Sequence, residues 1–227
     1  MNTAVRVSKR LIDVAGASIG LAMLAPLVPL VAVAIRLEAR GGQLILKKRR
    51  AGRLLRGRGS SAEFREFAML KFWTGAEDDL QDAVPAAAPG RVGLFLQRTR
   101  LDEMPQLINV LRGDMSLVGP RPERPEVMKI LAAECSGFEM SLSDLKPGMT
   151  GLVRVTDLGA PRFPVDGVLE AGNDAEGIQP AIDDDLQLKL LLDLKYVTAM
   201  ESFSEFLRLE FAILAKTLKK FIERLRP

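Results

Sequence analysis

Apolar residues are distributed unevenly along this chain. From Val14 to Ile35 the only positions that are not apolar are Gly16, Ser18, Gly20, Pro26 and Pro29. A run of roughly 20 such residues reaches the length needed to cross a bilayer. Arg6, Lys9 and Arg10 precede the run, and Arg36, Arg40, Lys47, Lys48, Arg49 and Arg50 follow it, so a straight span would leave one basic cluster on the wrong side. Pro26 and Pro29 sit mid-run, where each removes a backbone donor and crowds the preceding turn. The pattern predicts a re-entrant helix-break-helix that enters and leaves by one leaflet. Both basic clusters then stay in the cytosol, and Asp13 stays at headgroup level beside Arg10. A bitopic helix with a proline kink also fits. A cleaved secretory leader is a further competitor, since Ala32-Val33-Ala34 resembles a cleavage site, but the run exceeds a typical leader core.

Beyond the run, Gln43 to Leu46 reads as a short strand, followed by a basic loop around Arg49 to Ser61 that contains Gly52, Gly57 and Gly59. Glu63 to Phe72 fits helix or strand. Ala83 to Gly90, with Pro85 and Pro89, reads as a surface loop. Val92 to Leu101 leads into a helix with apolar residues at Leu107, Ile108 and Leu111, and Gly113 is its stop. Val153 to Pro180, rich in Gly, Pro and Asp, predicts loops, and Ile182 to Leu225 returns to helix. Phe203, Phe206, Leu207, Phe211, Leu214, Leu218, Phe221, Ile222 and Leu225 recur at helical spacing, most simply as a core stripe. Lys216, Lys219, Lys220, Arg224 and Arg226 suit a helix C-terminus, with anionic lipid as an alternative partner. No internal repeat is visible.

With 227 residues, the chain holds one catalytic unit plus an appended segment, not two ordinary domains. The formal charge of +3 is mild, but the dense run from Lys47 to Arg58 predicts contact with an anionic surface. That run closely follows a membrane segment and lacks interleaved aromatics, so nucleic acid is not the expected partner. The sequence has no histidine and one cysteine, Cys135. Histidine-based general bases, cysteine zinc sites and internal disulfides are therefore excluded. Chemistry must run on carboxylates, Arg and Lys, with a hard metal ion as an optional addition.

The informative stretch is Arg98 to Pro125. Asp102 and Glu103 are adjacent carboxylates at the apparent start of a helix, where backbone donors and the dipole favour an ionised, nucleophilic carboxylate. On spacing alone, a plain helix cap with an acidic first turn is the simpler reading, because helix-start carboxylates are frequent. Arg98 and Arg100 precede the pair, and Gly119-Pro120-Arg121-Pro122-Glu123-Arg124 follows. Arg presents a planar fork of donors suited to phosphate, and prolines stiffen a loop that presents it. A rigid polyproline-like turn with solvated arginines has the same composition.

This stretch resembles the signature of the bacterial sugar transferase family, the small monotopic phosphoglycosyl transferases. Leu101-Asp102-Glu103, Pro105-Gln106-Leu107, Asn109-Val110-Leu111, Gly113-Asp114-Met115-Ser116, Leu117-Val118 and Gly119-Pro120-Arg121-Pro122 follow the family pattern in order. Lys9-Arg10, Asp13, Arg50, Gly52, Lys71-Phe72 and Pro147-Gly148-Met149-Thr150-Gly151 also resemble family positions, as do, less specifically, Asp193 to Tyr196 and Thr217. The resemblance implies a mainly helical α/β fold. A re-entrant membrane anchor over residues 1–40 would carry a compact catalytic body with a little sheet over residues 41–227, facing the cytoplasm from the bacterial inner membrane.

By the same resemblance, Asp102 would attack the β-phosphate of a UDP-sugar, release UMP and hold the phosphosugar until undecaprenyl phosphate takes it. Glu103 would assist, Mg²⁺ would sit beside Asp102 and Glu103, and Arg121, Arg98, Lys71 and Arg50 would bind phosphate. Gly119, Pro120, Pro122, Thr150 and Gly151 would form the substrate loops. The chain departs from the family pattern at Gln43, Lys48, Trp73, Gln97, Arg154, Asp157 and Leu158. Those changes raise the alternative of a membrane-bound binding or scaffold protein of the same fold. The identity of the sugar and a homo-oligomeric state stay open.

Overall fold

The computed structural model describes residues 2–38, 43–75, 90–134, 145–156 and 184–225. In it the apolar run folds as helices α1 (Thr3–Leu24) and α2 (Leu27–Glu38), bent by 62°. Among the described residues no single helix is long and apolar enough to cross a membrane, whereas the bent pair together has that length and composition. Pro26 lies at the break. Pro29 falls in the first turn of α2, and its ring and missing N–H are incompatible with a helical turn through Ala25, so both prolines keep α1 from running on into α2.

α1 starts well before the apolar run. Val5, Lys9, Asp13 and Ala17 are buried at every fourth position, which is one face of a helix laid on the body. Leu11, Ile19 and Met23 on α1, and Leu27, Val28, Leu30, Val33 and Leu37 on α2, are exposed. An uncovered apolar surface of that extent is consistent with membrane association.

Strands β1 (Ile45–Arg56) and β2 (Glu63–Phe72) form an antiparallel hairpin, in register from Ile45↔Phe72 to Arg56↔Glu63 with irregularities beyond Ala51. The expected basic loop is therefore strand as far as Arg56, and Glu63 to Phe72 is strand rather than helix. Acids lie across from the basic residues of β1: Arg49 meets Glu66 at 3.6 Å and Arg56 meets Glu63 at 2.8 Å, while Arg49 also pairs with Glu126.

The chain continues through α3 (Arg91–Thr99), a 3₁₀ turn at Leu101–Glu103, α4 (Gln106–Arg112), β3 (Ser116–Val118), α5 (Pro125–Glu134), β4 (Gly148–Thr150) and α6 (Leu152–Val155). It ends in α7 (Asp184–Ala199) and α8 (Phe203–Leu225). Gly113 stops α4 as expected, with φ 84°. The expected loops at residues 83–89 and 157–180 lie outside the described residues. Val153 to Val155, expected as loop, are helical.

The apolar positions of α8 do not form one core stripe. Phe206 and Ile213 are buried, whereas Phe203, Phe211, Leu218 and Ile222 are exposed on a neighbouring sector. The apolar arc is wider than the side of a helix that the body can cover.

A buried polar clamp joins α1 to the body. Lys9 Nζ donates to Glu210 Oε1 and to the Val118 carbonyl, each at 2.9 Å, and the Tyr196 hydroxyl donates to Glu210 Oε2 at 2.7 Å. One turn later, Asp13 Oδ1 accepts from Ser116 Oγ and from the Leu117 N–H, both at 2.8 Å. Val5, Val118, Tyr196, Met200, Phe206 and Ile213 form the apolar core around this clamp.

Candidate active site

Strands β3 and β4 pair in parallel and bring two separate motifs into contact. The Gly119 N–H donates to the Thr150 carbonyl at 2.9 Å, and the Gly148 N–H donates to the Pro120 carbonyl at 2.7 Å. Side chains are excluded at this crossing: a Cβ on Gly148 would lie 2.1 Å from Gly119 N, and one on Gly151 would lie 2.4 Å from Gly119 O. Gly119-Pro120 and Pro147 to Gly151 thus form one structural unit. α6 leaves it immediately, carrying Arg154.

Asp102 and Glu103 sit on the 3₁₀ turn, not in the first turn of an α-helix as expected; α4 begins only at Gln106. Arg100, in the left-handed conformation at φ 57°, ends α3 and opens that turn. Asp102 is 5% exposed, and its Oδ2 lies 2.9 Å from Lys71 Nζ at the end of β2. Burial raises the Asp102 carboxyl above the usual carboxylate range, and Lys71 pulls against that rise. The helix-dipole argument for a low value therefore does not apply.

Glu103 points elsewhere. Its Oε2 lies 2.8 Å from Arg154 Nη1 and its Oε1 lies 3.6 Å from Arg100 Nη1. Burial pushes the Glu103 carboxyl up, but Arg154 and Arg100 outweigh burial and hold it below its ordinary value. The adjacent carboxylates thus occupy different electrostatic settings, one paired with an ammonium and the other with two guanidiniums.

Buried Asn109 holds this frame. Its Nδ2 donates to the Ala68 carbonyl at 2.8 Å and its Oδ1 accepts from the Leu70 N–H at 3.0 Å, tying α4 to β2 beside Lys71. A cavity of about 220 Å³ opens next to Glu103, between the turn and α8. Arg100, Arg154, Lys220 and Arg224 supply its positive charge beside Glu103, while Leu24, Leu214 and Phe221 supply apolar wall. Leu24 is the last residue of α1, so the cavity reaches the helix break. Thr150 Oγ1 and Thr217 Oγ1 are 2.7 Å apart at its side.

Contacts therefore link Lys71, Asp102 and Glu103, and separately Gly119, Pro120, Thr150 and Gly151, with Arg154 joining the two groups. Pro122 is half-buried in the loop that follows. Of the other expected phosphate ligands, Arg121 follows Pro120 directly and lies near enough to Arg100 to act on its charge. Arg98 is exposed on α3. Arg121 is exposed and pairs with Glu123 at 3.4 Å. Arg50 lies within β1 and donates to the Arg49 carbonyl. Asn109, Arg100 and Arg154 are not among the expected site residues; a cation soon after Pro147 to Gly151 is the signal that the sequence offers for Arg154.

Among the described residues no third acidic, histidine or cysteine side chain joins Asp102 and Glu103 in a metal-sized group. An all-protein cage is thus not formed. Asp102 is paired with Lys71 and Glu103 with Arg154 and Arg100, so either carboxylate would hold Mg²⁺ singly through hard oxygen donors, with substrate phosphates completing its shell.

A model of the bacterial sugar transferase family matches residues 4–224. The undecaprenyl-phosphate glucose phosphotransferase of Komagataeibacter xylinus is 31% identical over 219 residues, covering 94% of this chain and 36% of that protein. A UDP-glucose:undecaprenyl-phosphate glucose-1-phosphate transferase of Caulobacter vibrioides is 38% identical over 160 residues, covering 68% of this chain and 56% of that protein. A putative undecaprenyl-phosphate N-acetylgalactosaminyl 1-phosphate transferase of Bacillus subtilis is 36% identical over 138 residues, covering 59% of this chain and 72% of that protein. The matched regions thus span between about a third and three quarters of the relatives' own lengths.

Proposed function

The chain belongs to the bacterial sugar transferase family, and from that premise we propose that it transfers a sugar-1-phosphate from a UDP-sugar to undecaprenyl phosphate through an aspartyl intermediate on Asp102. The observation that carries this reading is the buried Asp102 carboxylate, held 2.9 Å from Lys71 and one residue from a mainly apolar cavity that contains Arg100, Arg154, Lys220 and Arg224 and reaches the end of α1.

In the first step an Asp102 oxygen attacks the β-phosphorus of the UDP-sugar. The bond from that phosphorus to the bridging oxygen breaks, and UMP leaves with the electron pair. In the second step a phosphate oxygen of the polyprenyl carrier attacks the same phosphorus, restoring the Asp102 carboxylate and leaving a diphosphate between lipid and sugar. Lys71 keeps Asp102 ionised against the cost of burial. Arg154 and Arg100 hold Glu103 and supply positive charge where phosphate oxygens accumulate. Mg²⁺ bound by Asp102 or Glu103 would offset the charge of the diphosphate.

The cavity beside Glu103 suits the acceptor, with a phosphate at Arg154 and Lys220 and the first isoprene units against Leu24, Leu214 and Phe221. The curated relatives' names differ in their sugar, glucose in two and N-acetylgalactosamine in the third, so the donor is assigned only as a UDP-sugar. The reaction fits the first membrane step of polysaccharide assembly at the inner face of the cytoplasmic membrane, with α1 and α2 re-entrant.

The test is UMP release from a panel of UDP-sugars by detergent-purified protein with Mg²⁺ and undecaprenyl phosphate. Sustained release that needs the lipid, with at most one equivalent of UMP per enzyme in its absence, and the loss of both in Asp102→Asn support the reading. No release across the panel favours a binding or scaffold role, and full activity of Asp102→Asn removes the covalent route.

A further inference from the structure

At the end of α4 opposite Asp102, two adjoining cavities of about 390 and 350 Å³ share Arg10, Arg53 and Lys146. Among the described residues their combined lining holds seven cationic side chains and two carboxylates, Asp13 and Asp114. Neither carboxylate is available to balance the whole cluster. Asp13 Oδ1 is engaged by Ser116 and Leu117, and Asp114 lies 3.6 Å from Arg65. Lys9 is matched by Glu210, and Arg10 donates to the Val110 and Leu111 carbonyls at 2.7 Å, capping the C-terminal end of α4.

The cations that converge here come from α1, β1, β2, α4 and the segment before β4. Their convergence is therefore a product of the tertiary fold and not of a local basic run. Gly113 forms the floor: it has φ 84°, and a Cβ there would lie 3.2 Å from Lys146 Nζ and 3.7 Å from Arg10 Nη2. Bare backbone thus leaves open the space between two cations from different elements. Burial, and then the guanidinium of Arg10, outweigh the opposing pull of the Asp13 carboxylate and hold the Lys146 ammonium below the usual lysine range. Like charges gathered in a concave surface repel one another unless an anion joins them.

We infer that this groove is a second oligoanion site, separate from the Asp102 site, which takes a phosphate-bearing ligand of an anionic phospholipid headgroup or of a soluble diphosphate. Guanidinium forks and an ammonium around an open floor match the donor geometry phosphate requires. Arg10 is followed by exposed Leu11 and, one turn on, by exposed Val14 on α1, so the groove opens close to where the helix surface turns apolar. That placement suits a headgroup. The inference goes beyond the transferase reading and does not depend on Asp102 being the nucleophile.

The test uses calorimetric titration of the full chain in neutral detergent with three probes: sodium pyrophosphate, short-chain phosphatidylglycerol and short-chain phosphatidylcholine. The variants are R53Q/K146Q, the charge-preserving R53K/K146R, and R154Q to remove anion binding at the Glu103 cavity. Binding of phosphatidylglycerol or pyrophosphate, weakened about tenfold or more in R53Q/K146Q and retained in R53K/K146R and R154Q, supports the site. Phosphatidylglycerol alone identifies the ligand as lipid, and pyrophosphate binding identifies a soluble diphosphate. Equal affinity in R53Q/K146Q, equal loss in R53K/K146R, binding lost only in R154Q, preference for phosphatidylcholine, or no binding of either anion overturns it.

Discussion

Lys71 Nζ lies 2.9 Å from Asp102 Oδ2, across a gap in sequence that the β1–β2 hairpin and the Asn109 bridge close. Burial raises the Asp102 carboxyl and Lys71 works against that rise. Removing the ammonium leaves burial unopposed by its nearest cation, so the folded-state pKa of Asp102 rises further. A smaller fraction is then ionised at any given pH. In Lys71→Met the acid limb of kcat/KM should move to higher pH, and activity near neutrality should fall on the order of tenfold to a hundredfold, the scale of a charge-assisted hydrogen bond. Lys71→Arg should restore much of the limb's position. A pH profile of UMP release checks this, and an unmoved acid limb in Lys71→Met contradicts it.

Arg154 occupies a position where the sequence departs from the family pattern, yet it makes the shorter of the two guanidinium contacts to Glu103, at 2.8 Å. Arg154→Gln should lower kcat/KM about tenfold and let burial raise Glu103 toward protonation. Because the two side chains act as a pair, Arg154→Gln and Glu103→Gln should be strongly non-additive in a double-mutant cycle. Additive losses would mean that the contact has no role in turnover.

The glycine crossing carries a separate expectation. A Cβ on Gly148 would lie 2.1 Å from Gly119 N, so Gly148→Ala must push β3 and β4 apart or break their hydrogen bonds. Overpacking of this kind costs about 1–3 kcal/mol. The effect on activity should be larger than the effect on stability, since the same displacement moves Thr150 and Arg154. Thermal unfolding and UMP release measured on one preparation distinguish these. A variant that loses stability but keeps full specific activity would separate the crossing from the site.

Several of these features were legible in the sequence because they depend on local chemistry. Proline in an apolar run predicts a broken helix, Gly113 predicts a helix stop, and adjacent carboxylates near an Arg- and Pro-rich loop suggest phosphate chemistry. The rest depends on partners distant in sequence. The stretch from Arg49 to Ser61 reads as a basic loop until Glu63 and Glu66 are placed across from its strand portion, which runs to Arg56. Asp102 reads as a helix-start carboxylate until the 3₁₀ turn buries it against Lys71. Phe211 and Leu218 read as core because periodicity reports an apolar arc without reporting how much of it the body can cover.

The clamp between α1 and α8 gives the last prediction. Glu210 is fully buried, with Lys9 on one carboxylate oxygen and the Tyr196 hydroxyl on the other. Lys9→Met removes one partner and leaves a buried carboxylate without its counter-charge, which typically costs about 3–5 kcal/mol. For a chain of 227 residues the melting temperature should fall on the order of ten degrees. Lys9→Met/Glu210→Gln removes both charges and keeps an amide for Tyr196 to bond, so it should recover a large part of that loss. Thermal unfolding in one detergent, followed by circular dichroism, compares the three proteins. If the double variant melts no higher than Lys9→Met, stability at this joint rests on the shape of the two side chains and not on their charges.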